Sequence, residues 1–429
     1  MPGRVPLRAV AMAPAIPAQA TFRPASPGGD ENEQPSVARQ PIYDRRLDLV
    51  AYELLYRPGK PDRASAIDPD AATSSVILNA FAEIGLDNLV GDSLVHINVS
   101  RRFLLAADHP PLRSDRVVLE VPGALAADAA ALTAISNLRA LGYRIALDNF
   151  VYDRSNHRLV ECCDIVKVDV VGRDLREIAE QVRALAPYEA QLLAAKVEDY
   201  ELFEACRTLG FDLYQGYFFC TPKLVQSKGI PSNQLERLRL IARLEAPNVE
   251  FEELKTLISR DIGLSYRFLR YANSAFFSMR RKVDSIHDAL VMLGEQTVKR
   301  WTTLIVLAGI QGKPHELIVT ALVRARMCEL LAGPFDARER DGFFTTGLFS
   351  VVDALMDAPM DEVVEWLPFS DDISTALVRR LGLKGEVLRV VIAYERGEPV
   401  TSSMLNGVPL STANMHAVAW AEEAGRVLR

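Results

Sequence analysis

The feature that most constrains the fold is a repeated alternation of apolar strands and helical segments in the first half of the chain. Two extended segments, Val37–Tyr43 and Leu49–Tyr56, flank the turn-like residues Asp44-Arg45-Arg46, which predicts an antiparallel hairpin. Six further apolar strands follow: Leu94–Val99, Val117–Val121, Arg144–Phe150, Ile165–Val170, Gln191–Val197 and Leu213–Phe219. The helical segments among them include Ala71–Ile84, Ala126–Leu141, Arg173–Leu185 and Tyr200–Leu209. Continuous apolar strands joined by helices predict a parallel sheet closed into a barrel of α/β class. Such barrels usually take ~250 residues, so helices or loops must be shortened here.

The second half of the chain is all-α in pattern. Amphipathic runs follow one another with Gly and Pro between them: Gln234–Glu245, Glu252–Arg260, Leu264–Ala272, Ile286–Leu293, Glu295–Ile310, His315–Leu331 and Gly342–Met356. We therefore predict four parts: an Ala- and Pro-rich disordered tail at 1–36, a barrel at 37–225, a helical domain at 232–410 and a helical tail at 411–429.

Composition excludes several classes of protein. The net charge is −7 and no basic block offsets it, which argues against nucleic-acid binding. No apolar run is long enough for a membrane helix, and Pro14 and Pro17 interrupt the one candidate signal segment. The five cysteines include no CxxC pair, which indicates reduced thiols and a cytoplasmic protein.

Polar residues recur where the barrel strands end, which is where catalytic groups of such barrels gather. They are Glu53, Asn98, Glu120, Asp148, Lys167 and Gln215. Three carboxylates at one mouth repel each other unless a cation lies among them, and oxygen-rich ligand sets suit Mg²⁺ or Mn²⁺. A structural interpretation stays open for each residue alone: Glu53 as a satisfied buried charge, Asp148 as a turn residue, Lys167 as an ion-pair partner.

Seven ordered motifs in the first half resemble those of the EAL domain. They are Tyr52-Glu-Leu-Leu-Tyr-Arg57, Ile97-Asn-Val-Ser100, Val118-Leu-Glu-Val121, Leu147-Asp-Asn-Phe150, Val166-Lys-Val-Asp169, Lys196-Val-Glu198 and Gln215-Gly-Tyr-Phe-Phe219. The resemblance covers residues 38–225. It implies a trimmed, modified (β/α)8 (TIM-like) barrel that hydrolyses the bacterial messenger cyclic di-GMP.

The second half resembles the HDOD domain, a helical relative of the HD phosphohydrolases without their metal site. The motifs that support this are Ile262–Asn273, Ser285–Gly294 and Thr346–Leu355, within a match over 230–400. The pairing of an EAL with an HDOD domain is typical of a family of bacterial signalling proteins, so the resemblance implies signal transduction and protein interaction.

The EAL resemblance assigns roles to individual residues. Glu53, Asn98, Glu120 and Asp148 match the first metal shell of the family. The family's other site positions are matched by a lysine beside the attacking water, a glutamine that supports the site and the ligand, and an arginine that meets the ligand's phosphate. These are Lys167, Gln215 and Arg57.

The sequence departs from an active EAL site at four positions. Asn149 stands where active enzymes have a second aspartate, and Ala195 where they have a glutamate. Gly123 replaces the second acid of the family's Glu-x-x-Glu pattern, and Val151 replaces a glycine. Two-metal phosphodiester cleavage needs acids that hold two cations ~3.5–4 Å apart. We therefore expect one Mg²⁺ or Mn²⁺ site, with the second weak or lost.

The helical half contains a literal His287-Asp288 doublet, which invites a metal-hydrolase interpretation. Such a site needs further His and Asp ligands, and the only other histidines of this half are His315 and His416. We expect no metal role for the doublet.

The sequence thus favours a signalling protein with a degenerate EAL domain, which senses cyclic di-GMP or docks on protein partners through its barrel and HDOD surfaces. The alternative is an active, slow cyclic di-GMP phosphodiesterase that releases pGpG. A purely structural module without a nucleotide is a third option. Expected partners are cyclic di-GMP and proteins, with no nucleic acid and no membrane; a homodimer is left open.

Overall fold

The computed structural model describes residues 36–57, 86, 90–106, 110, 112–222, 232–277, 281–310, 312–333, 335–400, 402 and 404–428. Two predicted segments lie outside these residues. They are residues 1–35 of the expected tail and the whole of the expected helix Ala71–Ile84.

The first half folds into a closed eight-stranded barrel, as predicted. Its strands are β1 (Ser36–Asp44), β2 (Leu49–Arg57), β3 (Leu94–Asn98), β4 (Val117–Pro122), β5 (Arg144–Asp148), β6 (Ile165–Asp169), β7 (Gln191–Val197) and β8 (Leu213–Gly216). Strand β1 runs antiparallel to both β2 and β8, while the pairs from β2 to β8 are parallel. The opening hairpin therefore closes the barrel.

Two strands end at least two residues earlier than the apolar pattern predicts. Strand β5 stops at Asp148 because Asn149 takes a left-handed conformation with φ 49°. Strand β8 stops at Gly216, where φ is 156° and an added Cβ would lie 2.0 Å from the carbonyl oxygen of Val197. The predicted strand residues Phe218 and Phe219 instead belong to a 3₁₀ turn, Phe218–Cys220. Backbone geometry sets both ends, through a left-handed residue after β5 and a close backbone contact at the end of β8, and the side-chain pattern does not report either.

The helices around the barrel begin at capping residues. They are α1 (Arg101–Ala106), α2 (Ala129–Ala140), α3 (His157–Glu161), α4 (Leu175–Leu185) and α5 (Tyr200–Leu209). The side chains of Asp128, Asp174 and Asp199 accept backbone N–H groups at the starts of α2, α4 and α5. Helix α3 has only five residues, which agrees with the shortening of helices or loops that the residue count predicts.

Alternation along the strands separates two faces. One set of inward side chains is apolar and forms a closed cluster inside the barrel: Ile42, Ala51, Val118, Ala146, Ile165, Leu193, Ala195 and Leu213. Two residues along the same faces come Glu53, Glu120, Lys167 and Gln215, all buried. The polar groups therefore rest on an apolar floor.

The second half is a helical domain. Its helices are α6 (Ser232–Glu245), α7 (Phe251–Arg260), α8 (Ile262–Ala272), α9 (Ile286–Leu293), α10 (Glu295–Ala308), α11 (His315–Leu331), α12 (Ala337–Leu348), α13 (Val352–Met356), α14 (Met360–Glu365), α15 (Asp371–Arg379), α16 (Gly382–Arg396) and α17 (Leu410–Leu428). The single helix predicted at Gly342–Met356 was wrong, because a 3₁₀ turn at Phe349–Val351 separates α12 from α13. A two-stranded ribbon, Met404–Leu405 with Val408–Pro409, was missed because its strands have only two residues each.

Aromatic side chains fill the core of the helical domain. The Trp301 ring lies 4.2 Å from Tyr271 and 5.1 Å from Phe276 by ring centroids, and 5.8 Å from both Phe277 and Trp420. Such pairs stabilise a core beyond the area they bury. This part of the fold is built for packing.

The two halves are joined by buried polar contacts. The Tyr52 hydroxyl donates to Glu316 Oε2 at 2.7 Å, and Arg39 Nη1 donates to Glu422 Oε1 at 2.6 Å. Helix α17 packs on both α11 and β1, so the C-terminal helix belongs to this junction.

Two further findings concern the class of protein. No helix among the described residues is both long and apolar enough to span a bilayer. All five cysteines are free thiols.

Candidate functional site

Lys167 lies at the centre of the polar cluster inside the barrel. Its Nζ donates to Glu120 Oε2 at 2.7 Å and to Glu53 Oε2 at 2.9 Å, and lies 3.2 Å from Asp148 Oδ1. Burial lowers the pKa of Lys167, but the three carboxylates outweigh it and raise that pKa well above the ordinary value. The structure thus brings together four residues predicted from four different motifs, and the Lys167 ammonium is the cation that the three carboxylates share.

Glu53 accepts hydrogen bonds from side chains on three other strands, β3, β6 and β8. Asn98 Nδ2 donates to its Oε1 at 2.8 Å, and Gln215 Nε2 donates to its Oε2 at 2.6 Å, beside the Lys167 bond. Burial raises the pKa of Glu53, but the Lys167 charge and these hydrogen bonds outweigh it and lower the pKa to about 2. Glu53 is therefore an ionised carboxylate whose oxygens both have donors.

Glu120 is fully buried and divides its two oxygens between different partners. Oε2 accepts from Lys167, and Oε1 lies 2.8 Å from His96 Nδ1. Burial and the Glu53 charge raise its pKa, while Lys167 and the His96 hydrogen bond oppose them. Sequence reasoning missed His96; the available signal was its place two residues before Asn98, on the same face of an otherwise apolar strand.

Asp148 and Asn149 lie at the mouth. Asp148 is partly exposed, and the side chain of Asn149 donates to its Oδ2 at 2.9 Å. Active enzymes have a second acid at the position of Asn149. Here the Asn149 amide carries no charge and donates to an oxygen of Asp148 instead.

Ala195 faces the barrel interior at the end of β7, opposite Asp169 on β6. The next residue, Lys196, has φ 61°, and its Nζ pairs with Asp169 Oδ2 at 2.6 Å. The position that lacks an acid is thus followed by an added cation.

Two other predictions from the sequence concern Arg57 and the His287-Asp288 doublet. Arg57 ends β2, but its side chain is outside the described residues. In the helical domain, the Ser285 hydroxyl bonds to both the amide and a carboxylate oxygen of Asp288, and the His287 ring packs edge-on against Phe251. The doublet there forms the capped start of α9.

The side chains of the cluster offer the donors of a divalent-cation site. Two Glu, one Asp and one Asn supply only oxygen ligands, of the kind that Mg²⁺ and Mn²⁺ prefer. Within the described part of the chain, no three His, Cys, Asp or Glu side chains are placed to hold a metal as they stand. The carboxylates instead converge on Lys167 Nζ at 2.7–3.2 Å. The set fits such a cation chemically, provided that the ammonium withdraws.

Comparison with known proteins identifies both halves. The model of the EAL domain matches residues 30–222, and that of the HDOD domain matches residues 230–358. The cyclic di-GMP phosphodiesterase CdgJ of Vibrio cholerae is 31% identical over 84% of this chain and 85% of its own length. YuxH of Bacillus subtilis, an uncharacterized protein, is 28% identical over 86% of this chain and 92% of its own.

Solved structures of EAL proteins resemble less than half of this chain. BlrP1 of Klebsiella pneumoniae, in complex with manganese and cyclic di-GMP, is 23% identical over 45% of this chain and 57% of that chain, with a TM-score of 0.37. A standalone EAL protein of Vibrio cholerae O395, in its cyclic di-GMP-bound form, is 23% identical over 44% of this chain and 92% of that chain, with a TM-score of 0.36.

The domain order, the family models and a relative that matches over most of both chains agree with the eight-stranded barrel and the helical domain described above. The chain belongs to the EAL–HDOD family of bacterial signalling proteins.

Proposed function

We propose that the barrel binds cyclic di-GMP together with a single divalent cation, hydrolyses it little, and signals through protein contacts of the HDOD domain. The observation that supports this best is the Lys167 ammonium, which balances Glu53, Glu120 and Asp148 while the positions 149 and 195 carry no acid. A relative named as a cyclic di-GMP phosphodiesterase gives the ligand class.

The cation would be held by Glu53, Asn98, Glu120 and Asp148. A bound Mg²⁺ or Mn²⁺ supplies positive charge that neutralises a phosphate of the ligand and polarises its phosphorus–oxygen bonds. Lys167 then has to move from its position between the carboxylates, and its charge becomes available to the ligand or to a nearby water. Gln215 keeps Glu53 oriented during this exchange, because it bonds the same oxygen as Lys167. Arg57, at the end of β2, is the proposed contact for a ligand phosphate.

Low turnover follows from the charge of the neighbouring positions. Asn149 offers one neutral oxygen and Ala195 offers no ligand atom, so a second cation lacks the acids that would hold it. Lys196, next to Ala195, adds a positive charge where a second metal would need negative charge. Binding survives this loss better than water activation does.

The HDOD half supplies the output. Its core is packed with aromatic rings, and its contact with the barrel runs through Tyr52, which adjoins Glu53. A change at Glu53 on ligand binding can therefore be passed to the helical domain through Tyr52. Homodimerisation remains a prediction.

The test uses the purified full-length chain with cyclic di-GMP and Mn²⁺. We expect binding by calorimetry, little pGpG by chromatography, and a large gain in hydrolysis in Asn149→Asp/Ala195→Glu. The matched control, Asn137→Asp/Ala140→Glu, makes the same chemical changes on the exposed face of α2 and should leave hydrolysis unchanged. No gain in the site variant at saturating Mn²⁺ would contradict the explanation from missing acids.

The alternative is an active phosphodiesterase. Its support is the relative of that name and the intact set of Glu53, Asn98, Glu120, Asp148 and Lys167. Multiple turnovers by the wild-type chain, with a rate close to that of the restored variant, would favour it. Absence of cyclic di-GMP binding would favour a structural module instead.

A further inference from the structure

His96 is a buried histidine at the centre of the barrel to which the family motifs give no role. It lies on β3, in register with Glu53 on β2 and with Val118 on β4, and is 2% exposed. Its Nδ1 lies 2.8 Å from Glu120 Oε1, and this is the one hydrogen bond that its side chain makes with the described residues. An isolated polar ring at this depth needs that bond, because unpaired buried polar groups are costly.

The hydrogen bond has one reasonable direction. Glu120 accepts from the Lys167 ammonium through its other oxygen, and an ionised carboxylate only accepts. The proton therefore lies on Nδ1, and His96 donates. The two oxygens of Glu120 are thus assigned: Oε1 turns to His96, and Oε2 turns to the point where Lys167, Glu53 and Asp148 meet.

Three neighbouring side chains do not take over this role. Asn98, the neighbour of Glu120 in register on β3, donates to Glu53 instead. Ala146, its neighbour in register on β5, and Val118, two residues before it on β4, belong to the apolar floor. Without the His96 donor, Oε1 would remain buried without a partner, and the carboxylate would be free to rotate toward other donors. Such a rotation moves Oε2 away from the centre of the site.

We propose that His96 is a positioning residue that fixes the Glu120 carboxylate so that one oxygen faces the divalent-cation site. This inference rests on the cation site of the proposed function, and it concerns how this chain orients its own ligand rather than the reaction. Partners that orient a metal ligand typically contribute 10–100-fold to metal affinity. His96 contributes through the Nδ1–H donor, so volume alone should not replace it.

The experiment titrates Mn²⁺ into the full-length chain and its variants and follows free Mn²⁺ by electron paramagnetic resonance. His96→Phe keeps a ring without the donor and should weaken Mn²⁺ binding about 10-fold or more. His96→Asn places an amide N–H close to the position of Nδ1 and should bind within about threefold of wild type, because the donor is what matters. His287→Phe makes the same change at an exposed histidine of the helical domain and should leave Mn²⁺ binding unchanged.

Thermal unfolding of each variant separates folding from positioning. Wild-type Mn²⁺ affinity in folded His96→Phe would overturn the proposal, and so would equal weakening in Asn and Phe variants of equal stability. Absence of Mn²⁺ binding by wild type would overturn it as well. If wild type binds Mn²⁺ but not cyclic di-GMP, the proposed function fails while the role of His96 stands.

Discussion

Two buried carboxylates, Glu53 in the barrel and Glu245 in the helical domain, have opposite pKa shifts. Glu53 has donors on both oxygens and a pKa lowered to about 2, because Lys167 and its hydrogen bonds outweigh burial. Burial raises the pKa of Glu245, from which Lys299 is 3.9 Å away. The domain alone does not decide the shift, since the pKa of Glu120 in the barrel is also raised, and the helical domain holds a close ion pair between Arg324 and Glu395. The closeness of the donors and cations around a buried carboxylate decides whether it stays ionised.

The largest effect should come from Lys167→Met. It leaves Glu53, Glu120 and Asp148 without their shared cation, and breaking a buried ion pair costs about 3–5 kcal/mol. The expected loss in urea unfolding should be partly reversed by Mn²⁺, which substitutes for the ammonium. Lys299→Met beside Glu245 is the control, with an expected loss below about 1 kcal/mol because that pair is distant and partly exposed. Equal losses for the two variants would remove the contrast between Glu53 and Glu245.

The next largest effect should come from the junction between the barrel and the helical domain. Tyr52→Phe and Glu316→Met both remove the buried hydrogen bond of 2.7 Å. A double-mutant cycle by urea unfolding should give a coupling of about 1.5–3 kcal/mol, the range for a hydrogen bond to a charged group. Tyr143→Phe, whose hydroxyl donates to backbone carbonyls of the barrel half, pairs with Glu316→Met as the control cycle and should show additivity. Additivity in the Tyr52 cycle would mean that the halves are not coupled there.

Glu53 and Glu245 should also change the free energy of unfolding with pH in opposite directions. From the ordinary value of 4.5 down to about 2, the unfolded chain takes up a proton at Glu53 before the folded chain does, so stability falls as pH falls. Glu245 has a raised pKa, so the unfolded chain releases its proton first, and stability falls as pH rises above 4.5. Glu53→Gln should flatten the dependence of the unfolding free energy on pH below pH 4.5. Glu245→Gln should flatten this dependence above pH 4.5. The same slope change in both variants would contradict these assignments.

The smallest effect should come from a hydroxyl in the aromatic core. The Tyr271 hydroxyl is buried and has no hydrogen-bond partner among the described residues, so Tyr271→Phe should leave stability unchanged or raise it by up to about 1 kcal/mol. The barrel offers a matched control, because the buried Tyr214 hydroxyl donates to the Phe211 carbonyl at 2.7 Å. Tyr214→Phe should lose about 1 kcal/mol in the same assay. A loss of that size at Tyr271 would mean that its hydroxyl has a partner such as water.

The strand pattern was sufficient to predict the eight-stranded barrel, because continuous apolar strands and their polar ends are local signals. Most of the candidate site was equally accessible, since Glu53, Glu120, Lys167 and Gln215 each stand within or directly after an apolar run, in a recognisable motif. His96 was not, because a single histidine within a strand does not reveal a partner on another strand. The ends of β5 and β8 depended on backbone conformation at Asn149 and Gly216, and the break between α12 and α13 on packing.

The position of Glu53 next to Tyr52 has a consequence for the register of β2. Side chains alternate along the strand, so Glu53 enters the barrel and Tyr52 leaves it for Glu316 of the helical domain. A slip by one residue would place a phenol among the barrel carboxylates and a carboxylate at the junction. Both domains therefore oppose the same misfolded pairing, and the strand that supplies the proposed ligand site has only one acceptable alignment.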